Sequence, residues 1–112
     1  MIDSYEFGRI VIDGRTYTSD VIVLLDRVKD GWWRKEGHKL QVEDIEDAMK
    51  EKPDVLVVGT GHSGLVDIPK ETADYIKSKG IELIAEKTVK ATEIYNRLSK
   101  SKRVIAALHL TC

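Results

Sequence analysis

The sequence contains a single cysteine, two prolines and no long run of apolar residues. The lone Cys112 cannot close an internal disulfide, so we expect a protein of a reducing compartment, with the cytoplasm as the default. No apolar stretch approaches the roughly 20 residues that a membrane-spanning helix needs. Residues 1–6 lack the basic and apolar regions of a secretion signal, so we expect neither export nor a membrane anchor.

An excess of charge of one sign is also missing, because 18 basic and 19 acidic residues leave a net charge of −1. A protein so balanced has no global field to attract nucleic acid or acidic lipid. The basic residues of its second half are not interleaved with aromatic residues that would stack on bases. We therefore expect no nucleic-acid partner and no membrane partner. The many lysines and glutamates favour a thermophilic source.

Length and composition indicate a globular protein, with 112 residues of which 42% are hydrophobic and 33% are charged. A chain of this length buries enough apolar surface for a core without disulfides or metals. No linker, repeat or low-complexity segment interrupts it. Residues 1–112 are therefore predicted to form a single domain.

Hydrophobic patterning predicts a β-rich first third and an alternating α/β remainder. Strands are predicted over residues 9–12, 16–18, 21–25, 55–58, 81–85 and 104–110, and Asp13-Gly14 is typical of a tight hairpin turn between the first two. Helices are predicted over 42–49, from Pro69 to a cap at Gly80, and over 88–98 with Thr88 as N-cap. This order indicates an α/β protein with helices packed on a mainly parallel sheet, which the N-terminal β-hairpin extends or covers.

The most informative stretch is the apolar strand Val55–Val58 with the loop Gly59–Gly64, which spells the G-x-G-x-x-G of dinucleotide-binding proteins. In those proteins the helix begins within the glycine motif, so that free N–H groups face the pyrophosphate. Here four residues intervene before Pro69, which is predicted to begin the helix. Only one mononucleotide-binding unit fits after residue 54, and Asp67 adds negative charge near the phosphate position. We therefore expect no nicotinamide or flavin cofactor.

The same loop has a second interpretation as a site for a smaller ligand. It follows a central strand at its carboxyl end, where open α/β sheets bind ligands, and its backbone amides suit a small anion. The candidate ligand-binding residues are Gly59, Thr60, Gly61, His62 and Ser63, with Thr88 and Asn96 as neighbours. For Asn96, capping or bridging backbone groups is favoured over ligand contact, and general acid–base catalysis by His62 stays open.

No metal site and no catalytic set are assigned. The three histidines, His38, His62 and His109, do not lie at the short spacings of metal ligands, either together or with Cys112. Ser63 and His62 are adjacent in sequence and lie outside any G-x-S-x-G elbow, so they are not expected to converge as nucleophile and base.

Trp32, Trp33 and Arg34 stand in a glycine-punctuated segment, residues 30–38, that is predicted to be a loop or a short strand. One interpretation buries one indole and lets the other cover a surface cleft. The alternative is a partner-binding anchor, because tryptophan and arginine are enriched at the centres of interfaces. All three residues are candidates for binding a protein partner.

Motifs along nearly the whole chain support a family resemblance. They are Trp33-Arg34 with His38-x-Leu40, Val57-Val58-Gly59-Thr60-Gly61, Thr88-x-x-Ala91-x-x-x-Tyr95-Asn96-x-Leu98, and Arg103-Val104 with Ala106-Ala107. Together they resemble a small domain of unknown function found in archaea, bacteria and eukaryotes. Its eukaryotic members include a mitochondrial complex I assembly factor and an adipogenesis-associated protein, and the ending His109-Leu110-Thr111-Cys112 is similar to the latter.

The resemblance implies a three-layer α/β fold around a mixed five-stranded sheet in which one strand runs antiparallel. It implies an archaeal or bacterial member of the family, and it brings no enzyme activity, cofactor or catalytic residue. The sequence therefore favours a non-enzymatic module that binds a protein partner or aids assembly, with Trp32, Trp33 and Arg34 as exposed anchors. The alternative is a small-molecule or anion binder, or an enzyme, that uses the Gly59–Gly64 loop.

Overall fold

Two β-sheets and three α-helices build the protein, and a computed structural model describes all 112 residues. The strands are Ile2–Glu6 (β1), Arg9–Ile12 (β2), Arg15–Tyr17 (β3), Val21–Val23 (β4), Val28–Lys29 (β5), Val55–Gly59 (β6), Glu82–Glu86 (β7) and Val104–Leu108 (β8). The helices are Glu46–Lys50 (α1), Lys70–Ser78 (α2) and Thr88–Leu98 (α3), and a 3-10 turn over Val42–Ile45 precedes α1. None of these helices is long and apolar enough to cross a bilayer.

The central sheet has five strands in the order β5-β4-β8-β6-β7. Strand β6 pairs in parallel with β7 and β8, whereas β4 pairs with β8 in the antiparallel direction. Every residue of β6 and β8 is buried, as central strands covered on both faces require. The mixed five-stranded sheet with one reversed strand is therefore confirmed.

The predicted hairpin around Asp13-Gly14 forms between β2 and β3, and both turn residues have the positive φ of a tight hairpin turn. It does not extend the central sheet. It joins β1 in a separate three-stranded antiparallel sheet. The hydrophobic pattern of residues 2–6 did not predict strand β1, because Ile2 is the only fully buried residue of that strand.

Two hydrophobic cores lie on opposite faces of the central sheet. Alternate residues of β6, Val55 and Val57, pack with α3 and with the three-stranded sheet. The intervening residues, Leu56 and Val58, pack with Ile45 and the inner faces of α1 and α2. This alternation follows from the two-residue period of a strand and gives the three layers.

Candidate functional site

The Gly59–Gly64 loop follows β6 at the carboxyl end of the central sheet. Helix α2 has Pro69 as its N-cap and begins at Lys70, so the predicted helix start at the proline is confirmed. Ten residues separate the last strand residue, Gly59, from Lys70. The amino end of α2 therefore lies outside the glycine motif, where it does not supply the N–H groups that hold a pyrophosphate.

The backbone amides of this loop donate hydrogen bonds within the chain. Six of these amides have acceptors, at donor–acceptor distances of 2.6–3.3 Å. Thr60 N–H donates to Glu86 O and Gly61 N–H to Thr88 Oγ1, while His62 N–H donates to Thr111 O and Leu65 N–H to Cys112 O. Within residues 59–66, Gly64 N–H donates to Gly61 O and Val66 N–H to Thr60 O. The amide of Ser63, an exposed residue, is the one in this run without an acceptor. An anion at the loop would therefore compete with acceptors of the chain itself for six of these donors, two of which bond residues that follow β8.

Glycine is required at two loop positions by the close approach of neighbouring segments. A Cβ on Gly59 would lie 2.9 Å from both Leu108 Cδ2 and Thr88 Oγ1. Gly61 has φ +110°, and a Cβ there would lie 2.9 Å from His109 Cδ2 and collide with the backbone of Cys112. These glycines fit the loop against the end of β8 and the segment after it.

Thr88 and Asn96, the two predicted neighbours of the loop, have different positions. Thr88 contacts the loop, but Lys87 is the N-cap of α3, so the predicted cap at Thr88 is wrong. The buried Thr88 hydroxyl accepts the Gly61 N–H at 2.9 Å and donates to His109 O at 2.7 Å. Asn96 is not a neighbour of the loop, because its side-chain amide bonds the backbone N–H and C=O of Ile2, each over 2.8 Å.

Of the remaining candidate residues of the loop, Thr60 is half-buried, and His62 and Ser63 are exposed. Thr60 Oγ1 donates to Glu86 O at 3.1 Å. His62 is exposed, and the edge of its ring meets Phe7 with the ring centroids 5.7 Å apart.

The structure also reveals a buried polar cluster of Asp20, Arg34 and His109. Asp20 Oδ2 lies 2.9 Å from Arg34 Nη2 and 2.7 Å from His109 Nδ1. Arg34 Nη2 also lies 2.9 Å from His109 Nδ1, so each of the three side chains contacts the other two. Asp20 Oδ1 accepts the Leu110 N–H at 2.8 Å. Sequence analysis missed this cluster because its members are far apart in the chain and share no motif spacing.

The cluster contains the elements of an acid–base–hydroxyl set, because His109 Nε2 lies 3.4 Å from Thr111 Oγ1. A catalytic set also needs space for a substrate next to the hydroxyl. His109 and Thr111 do not line the groove of about 390 Å³ beside Trp33, whereas Asp20 and Arg34 do. The cluster joins the loop that contains Arg34 to the segment after β8.

The segment Trp32–Arg34 has one exposed side chain and two buried ones. Trp32 is 8% exposed and its Nε1 donates to Asp44 O at 2.8 Å. The Arg34 side chain is 5% exposed, and its guanidinium lies over the Trp32 ring, 4.8 Å from the centroid. The expectation that all three are exposed anchors is wrong for Trp32 and Arg34, because both side chains are buried; of the Arg34 nitrogens, Nε and Nη2 have partners and the buried Nη1 has none. Trp33 is 85% exposed.

Two grooves flank Trp33. One of about 390 Å³ includes Ser19, Lys35 and Gly37 in its lining. The other, of about 280 Å³, is acidic, and its carboxylates are Glu43, Asp44, Glu46 and Asp47.

Two of these carboxylates have pKa values below their usual range. The pKa of Asp47 is lowered chiefly by its hydrogen bond from Lys29, and that of Glu43 by its own backbone N–H and then by Lys35. Glu43 and Asp47 therefore stay ionised at neutral pH.

The fold, the Gly59–Gly64 loop and the Trp32–Arg34 segment define a small three-layer α/β protein. Its glycine loop packs against residues 109–112. The chain belongs to the family described as protein of unknown function DUF498/DUF598, whose model matches residues 2–109. This assignment agrees with the resemblance to a domain family of unknown function.

Solved structures of similar fold include a conserved hypothetical protein, the protein MT938 and a Mth938-like domain. The conserved hypothetical protein PH1505 from Pyrococcus horikoshii OT3 is 28% identical, with a TM-score of 0.86 over 100% of this chain and 99% of that one. The protein MT938 is 28% identical, with a TM-score of 0.82 over 100% and 98%. A Mth938-like domain from Bordetella pertussis is 18% identical with a TM-score of 0.77 over 98% and 85%, and shows the shared fold alone.

Proposed function

We propose that the protein is a non-enzymatic module that binds a protein partner, with Trp33 as its central anchor. The observation that supports this proposal is the 85% exposure of Trp33 between two residues that are themselves buried. Large exposed aromatic side chains cost solubility and are typical of interaction surfaces. Aiding the assembly of a complex is one form that this binding could take.

The rigidity of the loop strengthens the case for Trp33. Arg34 is held by Asp20 and by its Nε bond to Gly37 O at 3.0 Å, and the Trp32 amide donates to Asp20 O at 3.0 Å. A loop fixed on both sides of the indole loses little conformational entropy on binding. Burial of a tryptophan removes about 200 Å² from water, or about 5 kcal/mol before the costs of association.

The charges around Trp33 indicate the chemistry of the partner. The acidic groove contains four carboxylates, while Lys29 is the one basic residue in its lining. A complementary surface therefore presents an apolar pocket for the indole with lysine or arginine side chains beside it. Such rim charges mainly raise the association rate and are screened by salt.

Affinity capture with matched variants tests this proposal. The wild type and the variants Trp33→Ala and Phe7→Ala are immobilised and compared. Phe7 is the matched control because it is also an exposed aromatic residue, at 55%, but lies in the turn between β1 and β2 of the three-stranded sheet. The expected result is a partner retained by the wild type and by Phe7→Ala, and bound about 30-fold more weakly by Trp33→Ala in calorimetry. Equal affinity for Trp33→Ala with an unchanged melting temperature would refute the role of Trp33.

Binding of a small molecule or anion at the Gly59–Gly64 loop stays the alternative prediction. The geometry favours it less, because most loop amides already donate within the chain. A titration with inorganic phosphate, followed by the amide NMR signals of residues 59–66, tests it. Saturable shifts confined to the loop would support an anion site, and unshifted signals would count against it.

A further inference from the structure

The largest cleft of the protein lies at the end of the central sheet opposite to the glycine loop. It has a volume of about 730 Å³, within the range of small-molecule sites. Helices α1 and α2 and the turns before β6 and β7 form it. Its apolar surface includes Met49, Tyr75 and Ile81, of which Tyr75 is 36% exposed.

Three lysines without carboxylate partners surround this apolar surface. Lys50, Lys52 and Lys79 line the cleft, and none of them belongs to an ion pair of the protein. Lys79 Nζ instead lies 5.3 Å from the centroid of the Tyr75 ring. Unpaired lysines at a shared cleft repel one another, and a bound anion would relieve that repulsion.

The two acidic residues of the cleft do not neutralise these lysines. Asp54 accepts the backbone N–H of Arg103 at 2.9 Å, and Glu46 makes no ion pair. The lining therefore has three cationic side chains against two carboxylates, and one of those carboxylates already accepts a hydrogen bond.

The backbone holds Lys52 beside the cleft. Lys52 has φ +49°, in the left-handed region that favours glycine, whereas the facing turn uses Gly80 at φ +75°. A non-glycine residue in this region costs about 1 kcal/mol. The Lys52 carbonyl is fixed by Arg103 Nη1 at 2.8 Å, so the strained turn holds a lysine beside the cleft. Lys52 directly follows the C-cap of α1 and its N–H donates to Met49 O at 3.1 Å, so this left-handed residue ends the helix.

We propose that this cleft binds a small organic anion with an apolar or aromatic body. The body packs on Met49, Tyr75 and Ile81, and the anionic group pairs with the lysines. The ligand class is an aryl or acyl compound bearing one carboxylate, sulfonate or phosphate. This site is separate from the surface around Trp33 in its residues, except that Glu46 lines both cavities.

The test uses two fluorescent probes that share an apolar body and differ in charge. The anionic probe is 1-anilinonaphthalene-8-sulfonate, and the neutral probe is N-phenyl-1-naphthylamine. The wild type is expected to bind the anionic probe saturably at one site. In the double variant Lys52→Gln/Lys79→Gln this affinity falls about tenfold, while the affinity for the neutral probe is unchanged. Tyr75→Ala weakens the binding of both probes.

The matched control is Lys90→Gln/Lys100→Gln, which removes two exposed, unpaired lysines of α3 and of the turn that follows it. These lysines lie outside the cleft, so both affinities should match those of the wild type. Amide NMR shifts caused by the anionic probe should be confined to residues 49–55 and 75–82. The proposal is overturned if the wild type does not bind the probe, if both double variants lose affinity equally, or if the shifts lie elsewhere.

Discussion

At the scale of residues, buried side chains hold the loop that presents Trp33. Trp32 fills a core position and donates its indole N–H, whereas Trp33 contributes no buried contact of comparable extent. The sequence placed an aromatic pair in this loop but left open which indole is buried. Two adjacent residues of one type give no periodic signal, and only the packing against α1 and β4 separates them.

Trp32→Ala and Trp33→Ala are therefore expected to differ in stability. Trp32→Ala removes a buried ring on which the Arg34 guanidinium stacks, so we expect it to lower the free energy of unfolding by about 3–5 kcal/mol. Trp33→Ala should change it by less than about 0.5 kcal/mol. Urea unfolding measures both values, and equal losses would contradict the assignment of one buried and one exposed indole.

Asp20→Asn tests the buried ion pair in the same way. The change leaves the Arg34 guanidinium buried without its countercharge, so we expect a loss of about 3–5 kcal/mol. Asp26→Asn is the matched control, because its ion pair with Arg27 is exposed and should contribute less than about 1 kcal/mol. Thermal and urea unfolding of the two variants measure the difference, and a mild Asp20→Asn variant would show that the cluster is dispensable.

Among the secondary-structure elements, those with a strong local sequence pattern were predicted correctly. The all-apolar runs of β6 and β8, the Asp13-Gly14 turn and the start of α2 after Pro69 are found as predicted. Strand β1 was missed because it buries a single fully enclosed side chain. The contact between the glycine loop and the residues after β8 joins segments about 50 residues apart, and no local pattern encodes it.

Gly61→Ala tests that contact between elements. A side chain at Gly61 meets both a positive φ and the segment after β8, so we expect a loss of about 2 kcal/mol or more. Gly31→Ala provides the control, because Gly31 has φ +62° but no atom within 4 Å of its Cβ position. It should lose only about 1 kcal/mol from backbone strain. Similar losses in urea unfolding would show that backbone strain alone requires the glycine.

At the scale of the whole molecule, stability should fall in alkaline solution. Burial, and then the charge of Asp13, raises the pKa of Tyr95 above its ordinary value of 10.0. The unfolded chain therefore loses this proton at lower pH than the folded protein does. The stabilisation is complete below about pH 10 and is lost as the pH rises through the folded-state pKa.

Tyr95→Phe isolates this effect, because the Tyr95 hydroxyl donates no hydrogen bond in the chain and the ring packing is kept. Melting temperatures of variant and wild type should agree near pH 8. Above about pH 10 the wild type should decline more steeply than the variant. Parallel declines would show that Tyr95 ionisation is not linked to unfolding.

We propose Trp33 as the point at which this protein binds another. Photo-cross-linking tests this: p-benzoylphenylalanine is placed at position 33 in living cells, with position 89 as control, because Val89 is exposed on the opposite side of the sheet. We expect a discrete covalent adduct of one partner from position 33 and none from position 89. Absence of an adduct at position 33, or the same adducts at both positions, would contradict it.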